Sequence, residues 1–206
     1  MLAVVARHEP AFFRRSLDPA DPRVEQQARR LVSKVSAIQA AWSQPGGWEA
    51  VLDEEEINAW LATDLPRNHS QLLPAGMAGP RVALEPQRIA VAVRIGHWPL
   101  SAVATCRAEV VLRDVNRLGV AVEQVALGGF PIPSGPLLHD LGRRLTALGL
   151  ATDLRRLDGR TVLVITIPSG SSTGDPIHAL ERFSIDAGSV AFSGRTLPGS
   201  AGTTTP

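Results

Sequence analysis

Between Arg81 and Val125 the chain alternates apolar and polar residues with a period of two, and nothing else in it constrains the fold as strongly. Arg81-Val82-Ala83-Leu84-Glu85 alternates, Pro86-Gln87-Arg88 turns, and Ile89 to Ile95 alternates again, which reads as a hairpin. Leu100 to Arg113 is the longest strand candidate. Cys106, Ala108, Val110 and Leu112 point to one side of it, and Arg107, Glu109 and Arg113 to the other. One wet face and one buried face imply an antiparallel sheet. Asp114 to Arg117 then turns the chain into Leu118–Val125.

The pattern resumes nearer the C-terminus. Arg155 to Arg160 contains Asp158-Gly159, a strong hairpin signal, and Thr161–Ile167 is apolar on both faces, as a covered central strand should be. Ile177–Ile185 and Val190–Arg195 form another pair around Asp186-Ala187-Gly188. This pair echoes the Val82–Val93 hairpin, a likeness that ordinary hairpin patterning explains.

Three helices interrupt the strands. After Asp21-Pro22, Val24, Ala28, Leu31, Val32, Val35, Ile38 and Trp42 recur at spacings of three and four until Pro45-Gly46-Gly47. Leu52–Leu61 is a second helix, with Asp53 as N-cap and Glu56 reaching back to it. Asp53, Glu54, Glu55 and Glu56 sit at its positive end, so capping accounts for the acidic run. Asn58 lies on a helix otherwise devoted to packing, where it either bonds a neighbouring backbone group or faces solvent. Ser134 caps a third helix, with Leu137, Leu138, Leu141, Leu145 and Leu148 in one stripe and Gly142 inside it, a place for close approach of a strand or ligand.

The expected fold class is therefore α+β: a curved, mainly antiparallel sheet of about six to eight strands with two or three helices on one face. Residues 1–20 read as a tail, 21–196 as one domain (helical over 21–65, sheet-rich over 80–196), and 197–206 as a disordered Gly/Ser/Thr-rich end. Met1–Ala6 is too short for a spanning helix or a secretory core, which need about 20 and about 7–15 residues. It reads either as a loosely docked tail or as the stub of a longer anchor. The anchored reading implies an extracytoplasmic, membrane-associated protein; the other implies a cytoplasmic one. Phe12 and Phe13 suit docking on the body or a bilayer interface.

Charge and composition narrow the function. A net charge of +1 lacks the excess of clustered cations expected of a nucleic-acid binder. Cys106 is the single cysteine, which excludes an internal disulfide and a cysteine-based zinc site. His8, His69, His97, His139 and His178 show no paired-ligand spacing, and no metal or other cofactor is expected. Gly170-Ser171-Ser172-Thr173-Gly174 matches a nucleophile elbow literally. Pro168 and Ser169 intervene, however, and His178 precedes Asp186, the wrong order for that triad, so a flexible loop is the reading. No catalytic constellation emerges.

Two passages together resemble a known group. Glu55-Glu56-Ile57-Asn58-Ala59-Trp60-Leu61 and the Gly129-Phe130-Pro131-Ile132-Pro133 passage, with the hairpin turn Asp186–Gly188, are similar to uncharacterised bacterial membrane-anchored extracytoplasmic proteins. Those are similar in plan to the tubular lipid-binding superfamily, in which a curved sheet wraps a long helix around an apolar groove. The resemblance covers roughly residues 50–195 and carries no catalytic residues across. It implies a lipid ligand and a membrane nearby, and names no protein partner. With many apolar positions on both sheet and helices and few polar groups to orient a reaction, the expectation is a non-enzymatic module for an apolar ligand between them. The charge leaves no nucleic-acid partner. Val110, Leu112, Leu137, Leu141 and Leu145 are the expected lining, with Trp60 and Trp98 at the mouth. The competing expectation is a solid core in an envelope-associated scaffold or interaction domain.

Overall fold

The computed structural model describes residues 9–15, 17–96, 101–157, 159–170 and 176–199. A short helix α1 (Ala11–Arg14) precedes α2 (Pro22–Trp42), β1 (Gly46–Asp53), α3 (Glu54–Asn68), β2 (Met77–Glu85), β3 (Arg88–Ile95), β4 (Ala102–Asp114) and β5 (Arg117–Leu127). After a two-residue β6 (Phe130–Pro131) come α4 (Gly135–Ala147), β7 (Ala151–Leu157), β8 (Arg160–Thr166), β9 (Ile177–Asp186) and β10 (Ser189–Leu197). The fold is α+β, with two antiparallel sheets. The larger runs β2-β3-β4-β5-β8-β7, with β6 beside β5; the smaller runs β1-β10-β9. Among the described residues no helix is long and apolar enough to cross a membrane.

The alternation of residues 81–125 does produce the β2–β5 meander, with Val82, Leu84, Ala90, Ala92, Val103, Ala108, Ala121 and Val125 buried. Bulges adjust it at Ala78/Arg81 and at Arg107/Ala108. Thr161–Ile167 corresponds to β8, an interior strand between β5 and β7, where Val162 and Leu163 are fully covered. The helices take separate positions: α2 against β1 and α3, α3 against β2, and α4 over β7 and β8. Gly142 serves a strand: a Cβ there would meet Leu163 Cδ1 at 3.4 Å, and Thr152 Oγ1 donates to its carbonyl at 3.3 Å. The expected Ser134 cap is not made, since its side chain bonds no backbone N–H of the first turn.

The largest departure lies between α2 and α3. The expected helix over Leu52–Leu61 begins at Glu54, and Gly46–Asp53 is a strand that pairs residue by residue with β10. Trp48, Ala50 and Leu52 alternate inward, and that period is the signal for it. The N-terminal part therefore contributes a strand to the C-terminal hairpin. Helix α3 also outruns the expectation, continuing through Pro66 to Asn68.

Polar side chains join the layers. Helix α3 runs along the outer edge of β2 and supplies what a neighbouring strand would. Asn58 Nδ2 donates to the Val82 carbonyl (2.8 Å), and Val82 N–H donates to Asn58 Oδ1 (2.9 Å). Leu84 N–H donates to Glu54 Oε2 at 2.7 Å, and the Leu84 carbonyl accepts from Gly188 N–H at 3.0 Å. In return Gln87 N–H donates to the Ile185 carbonyl at 2.8 Å, so the two echoing hairpins interlock at their turns. Buried Asn116, at φ +61° in the β4–β5 turn, takes Leu180 N–H (2.6 Å) and donates to the His178 carbonyl (2.7 Å), fastening β9 to the larger sheet. Asparagine suits a left-handed turn position and brings the amide the clamp needs.

The acidic run is thus occupied by more than capping. The Asp53–Glu56 capping box is present. Beyond it, Glu54 serves β2, Glu55 accepts from Gln27 Nε2 at 2.9 Å, and Lys34 Nζ lies 2.9 Å from Asp53 Oδ2 and 2.7 Å from Glu56 Oε2.

Candidate functional site

The register of the smaller sheet sorts its side chains into rows. Leu52–Val190–Ile185, Ala50–Phe192–Phe183 and Trp48–Gly194–Leu180 lie across one face. Glu49–Ser193–Arg182 and Val51–Ala191–Ser184 lie across the other. The first three rows are apolar, and the next row on the same face, Gly46–Thr196–His178, is polar. Helix α2 is buried at Val24, Ala28 and Leu31, in its N-terminal half, while Ile38, Ala41 and Trp42 further along are only half-covered. Helix stripe and sheet face leave a groove of about 1220 Å³ between them. Ala37, Ile38 and Ala41 line it from α2, Trp48, Ala50, Phe183 and Phe192 from the sheet, and Leu112 from β4.

Aromatic rings cluster beside this floor. Trp42 stacks on Trp48 with centroids 5.3 Å apart and planes 14° from parallel, and Phe192 meets Trp48 edge-on at 6.5 Å. His178 meets Trp42 edge-on at 5.2 Å and shares a 3.2 Å hydrogen bond with Thr196 Oγ1. Burial lowers the His178 pKa from its usual 6.5, favouring the neutral ring. Gly194 is required under Trp48: a Cβ there would overlap the Ala179 carbonyl oxygen and come 2.5 Å from Trp48 Cζ2.

Most charges at the groove's rim have partners within the chain. Lys34 is held by Asp53 and Glu56, Arg195 Nε lies 2.6 Å from Glu181 Oε1, and Arg182 Nε donates to Ser193 Oγ at 2.9 Å. Glu49, Glu181, Arg182, Ser184 and Ser193 also line the groove, but most of its exposed surface is hydrocarbon, and among the described residues no histidine or cysteine lines it. Among the described residues no cluster of histidine, cysteine or carboxylates has the makings of a metal site. Cys106 lies elsewhere, half-buried near Phe12 and Thr105, and burial pushes its thiol pKa up, away from the reactive thiolate.

Among the described residues expected to line a site, Leu112 is the one on the wall of this groove. Val110 is half-buried on β4. Leu137, Leu141 and Leu145 lie on α4, which packs on β7 and β8 through Leu138 and Gly142; Leu137 is exposed, and Leu141 and Leu145 are half-covered. Trp60 packs against Val24, Ala28 and Ala59 and sits 5.6 Å from the His69 ring. Trp98 and Ser172 lie outside the described residues, as does the Met1–Ala6 stretch. The Phe12–Phe13 segment docks on the body: α1 packs on β2, and Arg94 stands 5.5 Å over the Phe13 ring while bonding Glu9 at 2.7 Å. The groove depends on strand β1, and the short alternation of Trp48, Ala50 and Leu52 is its signal in the sequence.

Comparison with known proteins returns no matching family model, no matching curated sequence and no matching solved structure.

Proposed function

We propose that the protein is a non-enzymatic binding module for an apolar ligand, of lipid class, held between α2 and the three-stranded sheet. The supporting observation is that Ile38 and Ala41 face Ala50, Phe183 and Phe192 across a groove of about 1220 Å³. That exceeds the roughly 300–1,000 Å³ usual for small-molecule pockets. Filling it with hydrocarbon returns about 0.8 kcal/mol for each methylene removed from water. A resemblance to tubular lipid-binding proteins would imply the same class of ligand, although the groove lies between different elements from those the sequence suggests.

Lipid extraction and mass spectrometry of the purified protein, followed by titration with a fluorescent fatty acid, tests the proposal. Saturable binding is expected, weakened at least tenfold by Ile38→Asp and by Ala50→Trp, which respectively charge and fill the groove. A wild-type protein that neither carries lipid nor binds the fatty acid saturably would exclude it.

A further inference from the structure

Strand β7 closes the larger sheet on the side opposite β2, and among the described residues nothing hydrogen-bonds its outer backbone. Its sequence is Ala151-Thr152-Asp153-Leu154-Arg155-Arg156-Leu157, exposed at all but Thr152 and Leu157. An open edge of this kind is a template for another strand. Which strand fits is decided by geometry and charge.

A two-fold axis perpendicular to the sheet brings an edge strand antiparallel to its own copy. That operation keeps every side chain on its own face. Residues can therefore stand opposite one another only if they are an even number of positions apart. Every second register is allowed, each centred on one residue. Centring on Asp153 opposes two aspartates, and centring on Arg155 opposes two arginines, both repulsive. Centring on Leu154 pairs all seven residues. It sets Asp153 opposite Arg155 of the second copy twice over, by symmetry, and Leu154, 38% exposed in the single chain, against itself. Asp153 and Arg155 already lie on one face of the strand, with Arg155 Nε 2.7 Å from Asp153 Oδ2.

We infer that β7 is a homodimerisation edge: two copies join antiparallel about Leu154, and the larger sheet runs on from one into the other. The Asp153–Arg155 exchange selects the register. Strand β2 has no such option, because Asn58, Glu54 and Gly188 occupy its edge.

Sedimentation equilibrium on the full chain tests this. The wild type is expected to dimerise. Asp153→Arg and Arg155→Asp, each turning two opposed pairs repulsive at once, are expected to raise the dissociation constant by roughly tenfold or more. Mixing the two variants in equal amounts should restore a dimer, now hetero-, because every opposed pair again carries opposite charge. Thermal unfolding of each variant confirms that the exposed substitutions leave the monomer folded. A monomeric wild type, a dimer indifferent to either substitution, or a mixture that stays monomeric would each overturn the inference.

Discussion

The two edges of the larger sheet solve one problem in opposite ways. At β2 the exposed row of backbone groups meets side chains: Asn58 takes both polar groups of Val82, while Glu54 and the Gly188 amide take those of Leu84. At β7 the row has no partner among the described residues, and the protection is electrostatic, through Asp153, Arg155 and Arg156. A plugged edge is committed to its own chain. A charged edge rejects most partners and admits one of matching charge order. The molecule is thus closed on one side and selectively open on the other.

The largest test of this contrast is Asn58→Ala. It leaves the Val82 N–H and carbonyl buried without partners, at about 2–4 kcal/mol for the two groups, measured by urea unfolding. Asn58→Asp should cost at least as much, because a carboxylate cannot donate to the Val82 carbonyl. Asp153→Ala at the other edge should leave monomer stability within about 0.5 kcal/mol, since its partner is an exposed ion pair. A large loss there would erase the distinction.

Glu54→Ala is expected to cost about 1–2 kcal/mol by the same measurement, less than Asn58→Ala because one group loses its partner rather than two. Hydrogen exchange separates the edges directly. The Val82 and Leu84 amides should be protected at all protein concentrations. The outward amides of residues 151–157 should exchange quickly in dilute solution and slow as concentration rises. The smallest effect belongs to neither edge. Neutral His178 supports the folded state above pH 6.5, and its contribution should fade as pH drops through that value to its lower folded one. His178→Asn should flatten that part of the stability profile while leaving the exchange contrast between the edges intact.

Much of this was legible beforehand, because a period of two survives inspection wherever one face is wet. The meander from β2 to β5 and the hairpin from β9 to β10 follow from that rule. Asn58 could be singled out as an amide on a packing helix, and Gly142 as a close-approach position, but neither revealed its partner. Capping accounts for only part of the acidic turn: the Asp53–Glu56 box forms, while Glu54 acts on a strand thirty residues away in sequence. Strand β1 is hard to read from sequence because two glycines open it and a helix follows without a loop. The groove depended on that strand. Its floor is assembled from residues around 50 and around 190, and only pairing at a distance puts them side by side.

Lys34 is the sole lysine of the chain, and both its carboxylate partners stand at the entry to α3. Held between them, with its pKa raised despite the opposing effect of burial, the ammonium surrenders its proton reluctantly. Acylating reagents consume the free amine, so this ε-nitrogen should be modified more slowly than an unpaired lysine, and faster once Asp53→Asn or Glu56→Gln removes a partner.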